Sequence, residues 1–516
     1  MDQSTGFLLT KNPERNGERW MLTVSEIKRF IDDDISSEKK RLAAVGQRYY
    51  DAEHDILKCR LFYINDDGKP VEDKVRSNIK ISHPFFTELT DQLTSYMLSF
   101  DENPIRAKET ADGLQDHLDL YFDDDFWSEI GELIGGAYSK GFEYLYAYKN
   151  EENRLVFQCA DSMGVVEVRA KDADDGQDHM IYWYVDRIEK GKKVVKRIQD
   201  WDNKETRFYI QFDNGQIEPD NDAQYNPRPH VVFTDPETGK KMGRPLGFIP
   251  FWRLDNCKKQ FSGLKPIKAL IDDYDLMQCG LSNNLVDFDT PLHVVHGFQG
   301  DNLDELITNL KTKKTIGIPD AEGGVSVQTV DIPYEARKVK AGEDEKNIYR
   351  FGFGFNSSQV GDGNITNIVI RSRYTLLDLK ANKMEKRLRK LLKQIIKIVL
   401  DEINAEFKTD YQITDIKFAF TRDIMTNETE NIQNAKVEAE TRQIEVNTVL
   451  DIAVQIGDEK ALQAICEIME WDFDDLKGQL AKLQEEQNTA NAKALLYDVV
   501  PEDEGNAAQP VFAHGA

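Results

Sequence analysis

Two helical patterns, near residues 266–289 and 335–350, bracket a stretch that neither repeats at helical spacing nor reads as one loop. Between them, over 291–334, HVVHGF, KKTIGIPD and VSVQTVDIPY read as strands, and a short helical pattern lies near Asp301–Lys311. A chain ordered this way leaves a body along one helix, builds a small α/β tip and returns along another. The outgoing segment, LKPIKALIDDYDLMQCGLSNNLVDFD, has Pro266 in its first turn and Ile267, Leu270, Ile271, Tyr274, Leu281 and Leu285 on its apolar face.

The rest of the chain supplies the body. Residues 24–60 carry apolar positions at mixed spacings of three and four, and FYINDDGKPVED reads as a turn between extended pieces. Phe85, Phe86, Leu89, Leu93, Tyr96 and Met97 make one helical stripe, and FWSEIGELIGGAYSKGFEYLYAYKN is a helix running into a strand near Tyr144–Tyr148. From Arg154 to Phe233 short strands alternate with Gly, Asp and Asn, the pattern of an antiparallel meander. Pro245, Gly247 and Pro250 mark a boundary. Beyond the returning helix, FGFGFNSSQVGDGNIT is a loop rich in Gly, Asn and Ser. A helix from about Ile368 to Glu406 follows, with Leu376, Leu377, Leu388, Leu391, Leu392, Ile395, Val399 and Ile403 on its apolar side. QITDIKFAFTRDI adds a strand, and Glu428 to about Gln487 is helical. There is no internal repeat.

Composition narrows the function. The formal net charge is -26, which repels polyanions at long range and argues against a repressor or a nucleic-acid storage protein. It does not exclude a surface along which DNA slides without sticking. Cys59, Cys159, Cys257, Cys279 and Cys466 are scattered and odd in number, which fits a reducing compartment and no zinc or disulfide framework. The N-terminus reads as lacking a secretory signal, and no run reaches the ~18 apolar residues of a membrane span.

Catalytic patterns are lacking. No GxxxxGK[ST] occurs, and GFGFN and GDGN lack the strand–loop–helix setting of a dinucleotide site. His293 and His296 are three apart on a strand, hence on opposite faces. Acidic pairs such as Asp272-Asp273 arise by chance in so acidic a chain, and a two-metal nuclease needs carboxylates that converge on ions. One stretch departs from the acidic average: LKANKMEKRLRKLLKQIIK carries Lys383, Lys386, Arg387 and Lys390 among eight cations against the single acid Glu385. It suits phosphates or, better in so acidic a protein, a neighbouring subunit.

In four places the segment order resembles the portal proteins of tailed double-stranded-DNA bacteriophages, above all long-tailed phages of Gram-positive hosts. SNIKISHPFFTELTDQLTSYMLSFDENPI is similar to that family's early helix, and GFIPFWRLDN with the segment after it to the entry into the stem. DEKNIYRFGFGFNSSQVGDGNITNIVIRSRYTLLDLKANKMEKRLRKLLKQI resembles the second stem helix, tunnel loop and spine helix. DIKFAFTRDIMTNETENIQNA resembles the wing strand and the turn into the crown.

The resemblance implies an α+β portal fold. It assigns 1–260 to an α/β wing, 261–290 and 333–350 to a two-helix stem, 291–332 to a small α/β clip and 351–366 to a tunnel loop. Residues 367–427 become the long spine helix and wing strand, 428–490 a helical crown and 491–516 a disordered tail. It implies a ring, usually of twelve subunits, at one capsid vertex of a virion assembled in the host cytoplasm, through which DNA is packaged and ejected. The partners implied are the large subunit of the terminase motor, a head–tail adaptor, and major capsid and scaffolding proteins. No enzyme activity, cofactor, metal or membrane is implied. The channel-facing loop residues would be Asn356, Ser357, Ser358, Gln359, Gly361, Asp362, Gly363 and Asn364, and Asp272, Asp273, Asp275 and Asp287 would form an acidic stem wall. The alternatives are a metal-dependent nuclease or another packaging-associated enzyme, or a generic capsid or scaffold protein.

Overall fold

The computed structural model describes residues 21–74, 76–150, 154–169, 178–191, 193–234, 241–288, 292–296, 324–328, 333–356, 367–422, 428–469, 471, 473, 476–479 and 482. The chain divides into two compact units, one of Met1–Gly363 with Ile368–Ile424, the other of Asn364–Asn367 with Met425–Ala516.

The first unit opens with α1 (Val24–Ile35) and α2 (Glu38–Tyr50), two helices where the apolar spacing alone reads as one. The break is chemical. Thr23 caps α1 in a reciprocal box with Glu26, and Ser37 starts afresh by accepting the Lys40 N–H at 3.3 Å. The hairpin β1 (Phe62–Ile64) and β2 (Pro70–Glu72) turns at Gly68, whose φ of 75° suits glycine. Next come α3 (Phe85–Met97), β3 (Ile105–Ala107), α4 (Leu114–Asp119) and α5 (Asp124–Lys140). Asp123 caps α5 by accepting the Phe126 N–H at 2.9 Å, and left-handed Gly141 stops it and turns the chain into β4 (Phe142–Lys149).

β5 (Leu155–Ala160) pairs with β4. β6 (Val165–Val168), β7 (His179–Glu189), β8 (Lys193–Trp201), β9 (Glu205–Phe212) and β10 (Ile217–Pro219) then form the antiparallel meander that the alternation predicts, with β11 (Arg228–Pro229) also on β9. β12 (Val231–Thr234) and β13 (Lys241–Arg244) make a hairpin. After Pro250 the chain returns to the body, because β14 (Phe251–Asp255) pairs antiparallel with β4 far upstream.

α6 (Lys268–Phe288) follows, then β15 (Leu292–His296), paired with β16 (Gly324–Gln328), then α7 (Tyr334–Gly352). A helix, an antiparallel strand pair and a second helix follow one another in the order expected. The helix expected near 301–311, the strand KKTIGIPD, most of the loop and the tail at 491–516 lie outside the described residues. α8 (Asn367–Phe407) leads to β17 (Ile416–Phe418), which pairs with β3.

The largest core lies where α8 meets α3 and α5. Leu388, Leu392, Ile395, Ile396 and Val399 are fully buried against residues such as Leu93, Ile130 and Ile134. Each such side chain contributes about 1.5–3 kcal/mol of apolar burial. In the second unit, α9 (Glu428–Ile456) and α10 (Asp458–Met469) meet at Gly457, φ 88°. Ala461 and Cys466 are buried there, whereas Leu450 and Ile452 are exposed.

Candidate functional site

Of the four stem carboxylates read as a wall, three are paired inside the protomer and the fourth holds a neighbouring segment. Asp272 accepts the Tyr49 hydroxyl and sits 2.7 Å from the ammonium of Lys268, which also reaches Asp55. Asp273 pairs with Lys340 of α7. Asp275 has no exposed surface: it lies 2.6 Å from Nδ1 of His54 and 2.7 Å from Nδ1 of His83, and accepts the His83 N–H at 3.0 Å. Burial alone would raise its pKa, but the two histidines hold it below the usual carboxylate value. A buried side chain cannot line a channel, so Asp275 leaves the wall.

Asp275 and Asp287 are instead the ends of a zipper. The extended segment 77–83 runs antiparallel to α6, and alternate N–H groups are taken by side chains one helical turn apart. Ser77 donates to Asp287 at 3.1 Å, Ile79 to Asn283 at 2.6 Å, Ile81 to Sγ of Cys279 at 3.2 Å, and His83 to Asp275. The two repeats match, because two extended residues advance ~6.6 Å and four helical residues ~6 Å. The apolar face assigned to α6 holds for Ile267 and Ile271, which are buried, but Leu285 is exposed, as are Leu276 and Val286.

The loop after α7 has a firm base. Phe353 is left-handed at φ 62°, and Gly354 donates to the Tyr349 carbonyl at 2.9 Å. The glycines here serve close packing and not backbone freedom: a Cβ on Gly354 would fall 2.0 Å from Leu89 Cδ2, and one on Gly352 would fall 2.6 Å from Cδ1. The Gln92 amide clamps both backbone groups of Phe355, at 2.9 and 2.7 Å, and the Phe355 ring lies parallel to Tyr374 with centroids 4.9 Å apart. Phe355 thus anchors the loop's base, whereas Phe351 is exposed. Asn356 donates to Glu345 at 2.8 Å. Ser357, Ser358, Gln359, Gly361, Asp362, Gly363 and Asn364 lie outside the described residues.

On α8 the basic run separates by helix face. Lys383, Lys386 and Lys390 are exposed, as are Lys393 and Lys397. Arg387 turns away and donates to the Asn256 carbonyl at 2.8 Å. Lys380 reaches the Asn256 side chain at 2.7 Å and lies over the Tyr138 ring. Burial, then the nearby charges of Arg387 and Lys383, lower its pKa to about 8. Glu385 is engaged by Arg389 and Arg422. The sequence reading missed His54, His83, Gln92 and Asn256. The spacing Asp275, Cys279, Asn283, Asp287 was a visible signal, four acceptors on one helix face.

Over residues 29–493 the chain matches the family described as "Phage portal protein, SPP1 Gp6-like". It is similar to the portal protein of Bacillus phage SPP1, 24% identical over 75% of this chain and 76% of that one. It is also similar to the portal protein of Clostridium phage phiCD119, 26% identical over 80% of this chain and 88% of the relative. Among solved structures it resembles a chain of the neck of a native GTA particle, computed with C12 symmetry. That likeness has 15% identity and a TM-score of 0.34, and covers 69% of this chain and 85% of the other.

Proposed function

The chain belongs to the SPP1 Gp6-like family of phage portal proteins, and from that premise we propose that it assembles into a ring of twelve copies that conducts double-stranded DNA through one capsid vertex. The observation that carries the reading is the family match, which spans the body, both long helices, the extended tip and the helical end of the chain. The family is structural, and the ring acts as a conduit with no catalytic site of its own.

In this reading the paired helices α6 and α7 are the stem, residues 291–332 the clip, residues 1–260 with 367–427 the wing and spine, and 428–490 the crown. The clip docks the large terminase subunit during packaging and a head–tail adaptor afterwards. Major capsid and scaffolding proteins surround the wing. The ring forms in the host cytoplasm and stays in the virion. Residues 351–366 face the channel axis, with Phe355 and Gln92 fixing the base from which the remaining polar residues reach DNA.

The charge distribution suits transit. Tight phosphate contacts would brake moving DNA, and a net charge of -26 opposes them. Asp272 and Asp273 are held by Lys268 and Lys340, so the stem surface they share is polar but locally neutralised. Asp287 stays exposed. The test replaces Asn356→Lys together with Gln359→Lys. Rings should still form near twelve times 59.3 kDa, while packaging slows or stops. Normal packaging velocity through rings confirmed by microscopy would remove the loop from the channel.

A further inference from the structure

We propose that neighbouring copies of this chain meet head to tail, the lysine ridge of α8 on one copy against a carboxylate face at the junction of α2, α3 and α5 on the next. The proposal rests on the ring reading above and names the surfaces that build it.

The ridge is Lys383, Lys386, Lys390, Lys393 and Lys397, spaced three, four, three and four residues apart and all exposed. That spacing stacks them on one helix face for about 20 Å. Leu388, Leu391, Leu392 and Ile395 occupy the opposite face, in the core. Lys386, Lys390, Lys393 and Lys397 have no ion pair among the described residues. The one acid within the span, Glu385, is committed to Arg389 and Arg422. Like charges one turn apart destabilise a helix, and solvated faces ordinarily relieve this with interspersed acids. Among the described residues the protomer offers no such relief.

A second, separate face has the opposite defect. Asp51 at the end of α2, Asp91 on α3 and Glu132 on α5 are exposed and surround Tyr50. The Tyr50 hydroxyl donates to Asp91 at 3.1 Å, and Asp51 accepts from the Gln47 amide at 3.0 Å. No cation pairs with any of the three among the described residues. Burial, and then the charges of Asp91, Glu132 and Asp51, push the Tyr50 hydroxyl up to about 12.

Among its described residues one protomer therefore carries two unmatched faces of opposite sign. Copies with a net charge of -26 repel at long range, so association needs local complementarity. A ridge facing a ridge would repel. A ridge facing the carboxylate face attracts, and contacts between two different faces are the kind that close into rings. DNA would also match the ridge, but it would leave the carboxylates unmatched and would be gripped where it must slide. A second copy satisfies both faces.

The test uses full-length chains and their mass in solution at one fixed ionic strength, with circular dichroism confirming the fold. The ridge variant carries Lys386→Glu, Lys390→Glu and Lys393→Glu. The face variant carries Asp51→Lys, Asp91→Lys and Glu132→Lys. Each alone should raise the concentration for half-assembly at least about tenfold. An equal mixture should restore rings, because alternating copies again oppose unlike charges at every contact. A ridge variant that assembles like the unmodified chain overturns the proposal, and so does a mixture that fails to rescue. A ridge variant that keeps its rings but loses affinity for a short DNA duplex also overturns it, and assigns the ridge to DNA. An unmodified chain that stays monomeric instead defeats the ring reading itself, which separates the two failures.

Discussion

Asp275 takes three hydrogen bonds with no surface of its own, and its partners come from two segments far upstream in the sequence. An Asn amide keeps one acceptor oxygen where the carboxylate offers two and carries no charge, so Asp275→Asn should cost about 1–3 kcal/mol. The pH dependence has a fixed sign. The folded pKa lies below the ordinary 3.8, so Asp275 contributes stability that is complete above that value and is lost as the pH falls through the folded pKa. Urea unfolding from pH 5 to pH 3 should therefore show a smaller loss in the variant than in the unmodified chain, and equal losses would contradict the assignment. Lys380 runs the other way. Its folded pKa of about 8 lies below the ordinary 10.5, so between those values the unfolded chain binds more protons and stability rises with pH. Lys380→Met should flatten that rise, worth roughly 2 kcal/mol. A rise that persists in the variant would place its origin elsewhere.

At the scale of elements, the zipper along α6 makes a prediction no isolated helix or strand would. The amides of Ser77, Ile79, Ile81 and His83 have acceptors on α6, whereas those of Asn78, Lys80 and Ser82 have none among the described residues. Site-resolved hydrogen exchange should show protection alternating along the segment. Ile79→Pro, which removes a bonded N–H, should cost about 1–3 kcal/mol, and Ser82→Pro much less. Similar losses from both would mean that the register is not the one described. The longer elements were legible in the sequence, since periods of two and near 3.6 survive wherever one face is buried, whereas the break between α1 and α2 and short elements such as β3 and α4 were not. Long-range pairing was not legible either. β14 follows a proline-marked boundary, yet its partner is β4, and nothing in Phe251–Asp255 encodes the address. The acidic stem misled for a related reason: composition shows that α6 carries carboxylates, but not that His54 and His83 wait on the face where Asp275 points. Nor does glycine content distinguish a flexible loop from close packing, which is why Gly352 and Gly354 needed Leu89 beside them to be understood.

For the whole molecule, the division into two units sets what each part needs from the rest. The main core draws its residues from Tyr49 to Ile416, all within the first unit. α9 in the second unit leaves Val454 95% exposed and Ile444 65% exposed, more apolar surface than a helix facing only water would keep. A chain ending at Ile424 should therefore keep its main unfolding transition within about 4 °C of the full chain, because no core residue is removed. The same truncation should produce rings that form poorly or package DNA abnormally, because the exposed apolar residues of α9 are then missing from the assembly. Calorimetry checks the first outcome, and microscopy with a packaging assay checks the second. A large fall in unfolding temperature would mean that the first unit depends on residues beyond its own core. Unchanged rings and unchanged packaging would remove the helical end of the chain from assembly and leave its exposed apolar residues without a role.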